Sequence, residues 1–332
     1  MFIVENYPLA VVFCVITMLC WGSWANTQKL AASSWRFELF YWDYVIGIVL
    51  FSLLLGLTMG SMGQGGRSFM DDVSQADGEN IFSAIAGGVI FNAANILLVA
   101  AISIAGMSVA FPVGIGLALV IGVLVNYIQA PVGNEILLFG GVGLIVVAIL
   151  LNAYAYRRKM AGTTGGLSTK GLLLSIVAGA LMGLFYKYVA ASMFPDFNNP
   201  IAGKLSPYTA VFFFSLGILA SNVLFNSLLM RFPFTGSPVT YGEYFKGSFR
   251  SHVMGLLGGM IWCLGMSFSI IASGEAGPAI SYGLGQGATV IAALWGIFIW
   301  KEFKVSPRGT NAILTVMLLL FVVGLWLIIE AR

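Results

Sequence analysis

Ten continuous apolar segments constrain this chain more than any other feature of its sequence. A helix needs about 20 apolar residues to cross the hydrocarbon core of a bilayer. The segments are continuously apolar and do not alternate, which is typical of spanning helices and not of a membrane β-barrel. We therefore predict an all-α polytopic membrane protein with spans at 8–30, 38–60, 81–104, 108–127, 135–155, 170–192, 207–230, 252–273, 278–299 and 310–330.

The composition argues against other classes of protein. The chain has 332 residues, of which 59% are hydrophobic and 9% are charged, whereas about 25% of a soluble domain is charged. The net charge of +3 is too small and dispersed for a nucleic-acid partner. Cys14, Cys20 and Cys263 fall inside apolar segments, which argues against a disulfide framework or a metal site. We expect the bilayer as a partner, and no cofactor or metal.

The distribution of basic residues predicts the orientation. The first segment has no basic region before it and no cleavage site after it, so we expect a retained helix. Basic residues concentrate on cytoplasmic loops, which places the odd-numbered loops in the cytoplasm and both termini outside a bacterial inner (plasma) membrane. Twelve of the sixteen Lys and Arg residues lie at those loops: Lys29, Arg36, Arg157, Arg158, Lys159, Lys170, Arg231, Lys246, Arg250, Lys301, Lys304 and Arg308.

An internal repeat relates the two parts of the chain. The 30 residues that begin at Gly87 align without a gap with those that begin at Gly258, and eight positions are identical. Five predicted helices separate the two copies, and this odd number gives them opposite orientations. We predict a first five-helix repeat at 1–156, a cytoplasmic linker at 157–169 and a second repeat at 170–332. Inverted repeats are typical of secondary transporters, whose halves exchange conformations around one site.

Aromatic and amide side chains form the candidate binding site. They recur at helical spacing in the first, third and ninth segments: Trp21, Trp24, Gln28, Asn92, Asn95, Tyr282 and Gln286. Aromatic faces together with groups that both donate and accept hydrogen bonds suit an uncharged polar solute. The alternative is that the amides join helix to helix and the tryptophans pack.

Two further residues are candidates for coupling and gating. Asp43 lies about five residues into the second segment, where an unpaired carboxylate is costly. We predict that it binds and releases a coupling proton; the alternative is a structural ion pair. Pro112 interrupts the fourth segment and is a candidate gate hinge, with a static bend as the alternative. His252, the single histidine, is expected to be an interface residue.

The order and spacing of several segments carry a family resemblance. They are CWGSWANTQKL and YWDYVIG in the first two helices, GGVIFNAANI, GMSV and IGVLVNY in the next two, SPYTAVFFFS in the seventh, and GPAISYGLGQGATVIAALWGIFIWKE in the ninth. The chain resembles the ten-helix drug/metabolite transporter superfamily, in the branch of the glucose/ribose porters, rhamnose–proton symporters and plant ureide permeases. It departs from the plant proteins in its short loop at 156–170, where GTTGGLSTK lacks the ending of a P-loop.

This resemblance implies a secondary active transporter that works by alternating access, driven by a proton or sodium gradient. The main hypothesis is proton-coupled uptake of a monosaccharide, with Asn95 and Gln286 lining the pocket. A ureide, nucleobase or nucleoside permease is the alternative, followed by an exporter of metabolites or drugs. The sequence offers no catalytic cluster, so we do not expect an enzyme. Either a monomer or a homodimer is compatible with the sequence.

Overall fold

The computed structural model describes residues 1–32, 34–105, 107–159, 168–304 and 306–332, so most of the predicted linker 157–169 lies outside the described residues. Regular structure within these ranges is helical. The helices are α1 (Tyr7–Ser23), α2 (Asn26–Leu30), α3 (Phe37–Leu57), α4 (Phe69–Gln75), α5 (Gly78–Ala105), α6 (Met107–Gln129), α7 (Glu135–Lys159), α8 (Thr169–Ser192), α9 (Pro207–Arg231), α10 (Tyr241–Phe245), α11 (Phe249–Ala276), α12 (Pro278–Gly285), α13 (Ala288–Leu294), a π-helical turn (Trp295–Ile299) and α14 (Thr310–Ile329).

Nine helices in the described part of the chain are long and apolar enough to cross a membrane, if α12, α13 and the π turn are counted as one. The 17-residue α1 is also apolar but shorter than these nine. The polytopic, all-helical membrane protein predicted from the sequence is therefore confirmed.

The first predicted span is not one continuous helix, because it is interrupted between Ser23 and Asn26. The Asn26 amide donates to the Ser23 carbonyl oxygen at 3.0 Å, and the Thr27 hydroxyl donates to the Trp24 carbonyl oxygen at 2.7 Å. Short polar side chains that bind nearby backbone carbonyls compete with helical hydrogen bonds. α2 is therefore a separate short helix of five residues.

The ninth predicted span is interrupted in the same way around Gln286. Gly285 ends α12, and α13 begins after Gly287. Glycine is a poor helix former because it loses the most backbone entropy on folding. Farther along, the Trp300 N–H donates to the Trp295 carbonyl oxygen, the five-residue spacing of a π turn. Gln286 therefore lies at a break between two short helices.

The long helices surround a central space. α5 packs against α8 and α9, α11 packs against α1 and α3, and α6 packs against α8. α7 and α14 pair with each other at the periphery, where side chains of α14 such as Leu319, Val322 and Trp326 are exposed. Exposed apolar side chains on an outer helix are what a lipid-facing surface requires.

Both ends of the chain lie on one face of the molecule. The Tyr7 hydroxyl donates to the Ile329 carbonyl oxygen at 2.5 Å, and the terminal amine of Met1 donates to the Gly65 carbonyl oxygen at 2.6 Å. The loops after α3 and α8 lie on this same face, since Arg67 donates to the carbonyl oxygen of Ile201. We call it the terminal face, and the opposite one, where α2 lies, the basic face.

Candidate functional site

A central cavity of about 200 Å³ lies between α1, α5, α8, α11 and the broken α12–α13 segment. Its walls are mainly aromatic and apolar, with a few polar groups, as in most small-molecule sites. The aromatic side chains that line it are Trp21, Trp24, Phe91, Phe185 and Trp262.

The aromatic walls are held by contacts with one another. The rings of Phe91 and Trp262 lie 4.4 Å apart, and those of Trp21 and Trp262 are stacked at 5.9 Å with 13° between their planes. The Trp21 indole N–H donates to the Trp262 carbonyl oxygen at 3.2 Å, which ties α1 to α11. Mutual packing of this kind leaves the rings little freedom, so the wall that they form is rigid.

Unpaired polar groups lie on the same lining. The Gln286 side-chain amide makes no hydrogen bond with any described residue. Asn95 uses its Nδ2 to donate to the Tyr41 hydroxyl at 3.0 Å, and its Oδ1 has no partner within the described part of the chain. Thr289 adds a hydroxyl that donates to the Gln286 carbonyl oxygen. The cavity thus offers an amide donor, amide acceptors and aromatic faces together.

A second cavity of about 180 Å³ adjoins the first on the side of the basic face. The two share four lining residues: Gly22, Ala25, Thr289 and Ala292. At its outer end Lys29 and Glu302 form an ion pair with 3.4 Å between Nζ and Oε1. The Tyr156 hydroxyl donates to Glu302 at 2.6 Å. Pro112 of α6 is also part of this lining.

The side of the central cavity toward the terminal face is filled with buried side chains. The Tyr186 hydroxyl lies 3.2 Å from the Ser269 Oγ and 3.4 Å from the Ser281 Oγ. The Tyr282 hydroxyl reaches the carbonyl oxygens of Ala118 and Met182, each at 3.1 Å. Both tyrosines have no exposed surface. We call Tyr186, Ser269, Ser281 and Tyr282 the polar plug.

Asp43 lies outside the cavity, in a contact between three helices. Its carboxylate oxygens are each 3.0 Å from Nδ1 of His252 on α11, and Oδ1 accepts from the Tyr244 hydroxyl of α10 at 2.6 Å. Asp43 is only 2% exposed. Burial, and then the adjacent Asp43 carboxylate, raise the pKa of Tyr244 above its usual range, so its proton stays in place.

The structure separates the site residues predicted from the sequence into groups. Four of them line the central cavity, namely Trp21, Trp24, Asn95 and Gln286. Asn92 and Tyr282 are fully buried among packed helices and Gln28 lies on α2, so none of these three is part of that lining. The predicted roles of these seven residues in binding, of Pro112 in gating and of Asp43 in coupling stay predictions.

Sequence reasoning did not identify several wall residues. Phe91, Phe185 and Trp262 lie in apolar segments, where nothing in the sequence distinguishes them from other aromatic residues. The repeat contained a usable signal, because Trp262 aligns with Phe91. His252 was expected at an interface, and it contacts Asp43 through a pairing that spacing along the chain does not reveal.

Comparison with known sequences adds the family. The sequence model of the family described as ureide permease matches residues 40–170 and 158–331. The chain belongs to the ureide permease family. Ureide permease 1 of Arabidopsis thaliana is 22% identical over 379 residues, covering 98% of this chain and 97% of that protein. Ureide permease 5 of the same plant is 23% identical over 398 residues, covering 99% and 96%.

The probable ureide permease A3 of Vigna unguiculata is 20% identical, covering 93% of this chain and 99% of that protein. A crystal structure with a TM-score of 0.62 and 14% identity covers 96% of each chain, and this likeness shows the fold alone. A permease moves a solute across a membrane, so this ureide permease family member is a membrane transporter and not an enzyme.

Proposed function

We propose that this protein is a secondary active transporter for a small, uncharged, planar solute of the ureide class. The observation that carries the proposal is the central cavity, where unpaired amide groups lie between aromatic walls. A ureide contains N–H donors and carbonyl acceptors in a nearly flat arrangement. Asn95 and Gln286 can pair with those groups, while the partly exposed rings of Trp21 and Trp24 can stack on a face of the solute.

A monosaccharide is the second candidate, since aromatic rings also stack on the C–H faces of sugars. The family membership favours the ureide reading, because the named relatives are ureide permeases. The lining also favours it, since it has no carboxylate among the described residues. Nucleobases share the planar amide chemistry and belong to the same proposal. Export of metabolites or drugs is a further alternative that the cavity does not specifically favour.

Alternating access by two inverted five-helix repeats, 1–156 and 170–332, is part of this proposal. Matching contacts of glycines support it. A side chain on Gly88 would collide with the carbonyl oxygen of Phe214, and one on Gly259 would collide with that of Tyr44. These contacts correspond under the repeat, because α5 corresponds to α11 and α9 to α3. A second corresponding pair joins Gly217 with Ile85 and Gly47 with Leu256.

The helix directions also support inversion. α3 and α9 are antiparallel, since Ser52 and Ser215 lie 2.8 Å apart at one end and the Asn226 amide donates to the Glu38 carbonyl oxygen at the other. α5 runs in the same direction as α9, and α11 in the same direction as α3. α5 and α11 therefore point in opposite directions, as an inverted repeat requires.

The cavity lining supports a site on the pseudo-symmetry axis. Residues of α1 and α8 correspond at an offset of 161 positions, and those of the repeated helices at 171. Four corresponding pairs line the cavity: Trp21 with Met182, Trp24 with Phe185, Phe91 with Trp262, and Ile115 with Gln286. A single site bordered by both halves is what a rocking mechanism uses.

The orientation in the membrane is proposed from the basic residues and the position of the termini. Lys29 pairs with Glu302, and Arg158 donates to the Arg308 carbonyl oxygen, which groups basic loops on one face. The positive-inside rule puts this basic face in the cytoplasm. With ten spans, α1 included, both termini face outward from an inner (plasma) membrane.

We also propose that the Asp43–His252 pair carries the coupling proton, with sodium as the alternative ion. The pair lies inside the helical bundle at the basic face and contacts both repeats, since α3 and α11 belong to different halves. A carboxylate and an imidazole can share or exchange one proton near neutral pH. Arg36, which precedes α3, and Glu38 in its first turn already pair with each other.

The substrate proposal is tested by ligand-induced stabilisation of the detergent-purified protein, followed by counterflow in proteoliposomes. Allantoin, hydantoin and uracil are compared with glucose and rhamnose. A ligand at 100 times its dissociation constant stabilises the folded state by about 2.7 kcal/mol. We expect saturable stabilisation by the ureides, weakened about tenfold in affinity by Gln286→Leu through loss of its hydrogen bonds. Stabilisation by sugars alone would restore the monosaccharide hypothesis.

The coupling proposal is tested with Asp43→Asn and the matched control Asp196→Asn, which changes an exposed loop carboxylate. We expect Asp43→Asn to abolish uptake driven by a pH gradient while counterflow exchange continues. The control is expected to retain both. Equal loss of both activities in Asp43→Asn, together with a lower unfolding temperature, would indicate a structural pair instead.

A further inference from the structure

We infer that Tyr41 and Asn92 are positioning residues that present the oxygen of the Asn95 amide to the central cavity and thereby select solutes with an N–H or O–H donor. The inference deepens the proposed function and rests on its assignment of the cavity as the binding site. Tyr41 and Asn92 are themselves fully buried, away from the lining.

The donor and acceptor roles in the hydrogen bonds of Asn92, Tyr41 and Asn95 are fixed by a backbone carbonyl, that of Ile218. The Asn92 Nδ2 lies 2.9 Å from the Ser221 Oγ and 3.4 Å from the Ile218 carbonyl oxygen. A carbonyl oxygen can only accept a hydrogen bond, and the Ser221 hydroxyl already donates to the Gly217 carbonyl oxygen at 2.8 Å. Both positions therefore require a donor from Asn92, which directs Nδ2 to α9 and Oδ1 to α3.

The orientation of Asn92 decides what Tyr41 does. The Asn92 Oδ1 can only accept, so the Tyr41 hydroxyl at 2.9 Å donates its single proton to it. The remaining lone pairs of that hydroxyl then accept from Asn95 at 3.0 Å. Because the proton of Tyr41 is already used, Asn95 must turn its Nδ2 toward Tyr41.

The orientation of the Asn95 amide determines which hydrogen bond it can make with a solute in the cavity. With one N–H of Nδ2 bound to Tyr41, the Asn95 Oδ1 is held in a single orientation as an acceptor for the solute. An amide side chain that was free to rotate could offer either its donor or its acceptor, as the unpaired Gln286 can. Asn95 is instead held in one orientation, in which Oδ1 is a fixed acceptor and only the second N–H of Nδ2 is left as a donor. A solute with a donor at that point is bound, whereas one with an N-methyl group leaves the oxygen desolvated and unpaired.

The experiment compares ligands that carry an N–H or O–H donor with their methylated analogues. Binding to the full-length protein is measured for hydantoin against 1-methyl- and 3-methylhydantoin, and for glucose against its mono-O-methyl ethers. We expect the wild type to prefer the parent over at least one methylated form by about tenfold, the value of one hydrogen bond in a buried site. Tyr41→Phe is expected to reduce that ratio to near one.

Tyr44→Phe is the matched control, because the Tyr44 hydroxyl is buried on the same helix and has no hydrogen-bond partner among the described residues. It is expected to keep the wild-type ratio. Asn92→Leu is the second variant. Without the acceptor of Asn92, Tyr41 can donate to the Asn95 oxygen, so the amide turns and the preference shifts toward methylated or acceptor-rich ligands.

The outcomes separate this inference from the proposed function. Binding of glucose but not hydantoin would reject the ureide substrate. The glucose series would still test whether Tyr41 and Asn92 position the Asn95 oxygen. An unchanged parent-to-methyl ratio in Tyr41→Phe would overturn the inference even if hydantoin binds. Equal binding of parent and methylated ligands to the wild type, or no binding of either series, would overturn it as well.

Discussion

The two ends of the central cavity differ in what fills them. Toward the basic face, the lining continues past Ala25 into a second cavity bordered by the partly exposed Lys29–Glu302 pair. Toward the terminal face, Tyr186 and Ser281 of the polar plug are fully buried and hydrogen-bonded. The helices are similar at both ends, so the difference lies in a few side chains.

Corresponding positions make the contrast specific. Ala25 of α1 corresponds to Tyr186 of α8 in the proposed repeat, and Leu98 of α5 corresponds to Ser269 of α11. Ala25 leaves space at one end where Tyr186 places a ring at the other, and Leu98 is apolar where Ser269 places a hydroxyl. Under the proposed mechanism of alternating access, this arrangement corresponds to entry from the basic face, and transport to the other side requires the polar plug to separate.

The largest effect on ligand binding is expected from closing the end of the central cavity toward the basic face. Ala25→Tyr places a ring where the two cavities join, so ligand stabilisation of about 2.7 kcal/mol at 100 times the dissociation constant should disappear. Ala25→Ser adds only a hydroxyl and is expected to retain it. Unfolding temperatures with and without allantoin measure the difference. Retained stabilisation in Ala25→Tyr would show that the solute does not pass this point.

The largest effect on the stability of the unliganded protein is expected from opening the end toward the terminal face. Tyr186→Ala removes a buried ring and should cost about 3–5 kcal/mol of unfolding free energy. Tyr188→Ala on the same helix is the control, since Tyr188 is exposed. Cys14, buried beside Ser281, should also become reactive to a thiol reagent in a protein that lacks the other two cysteines. Equal destabilisation by both variants would contradict the plug.

The smallest effect is expected at the ion pair of the open end. Glu302→Gln removes a charge that pairs with the half-exposed Lys29, so the unfolding free energy should change by less than about 1 kcal/mol. The same variant should raise the rate of uptake if the pair hinders entry. A stability loss as large as that of Tyr186→Ala would mean that both ends are equally closed.

The sequence predicted the helices well but not their local interruptions. Hydropathy along 20 residues is a local property, so the spans could be located to within a few residues. The breaks at Asn26 and Gln286 depend on side-chain hydrogen bonds and glycines that the apolar average hides. As a result Gln28 was assigned to the same face as Trp21 and Trp24, although it lies on a separate short helix.

The candidate site was only partly predictable, as two asparagines of one helix illustrate. Asn92 and Asn95 share a residue type and helical spacing, and the sequence treats them alike. Packing against α9 buries Asn92 in a network, whereas Asn95 lies three residues farther along, at the cavity. The pairing of Asp43 with His252 likewise joins residues that are far apart in the chain.

The sequence by itself determined that this protein is a helical membrane protein, because the cost of placing polar backbone and charge in hydrocarbon leaves few other folds for such a chain. Only the tertiary structure decided which polar groups are satisfied by protein and which remain for a solute. Satisfaction depends on distances of about 3 Å between helices, and these distances follow from packing. For this reason Gln286 and the oxygen of Asn95 are available in the cavity, while Asn92 and Tyr282 are not.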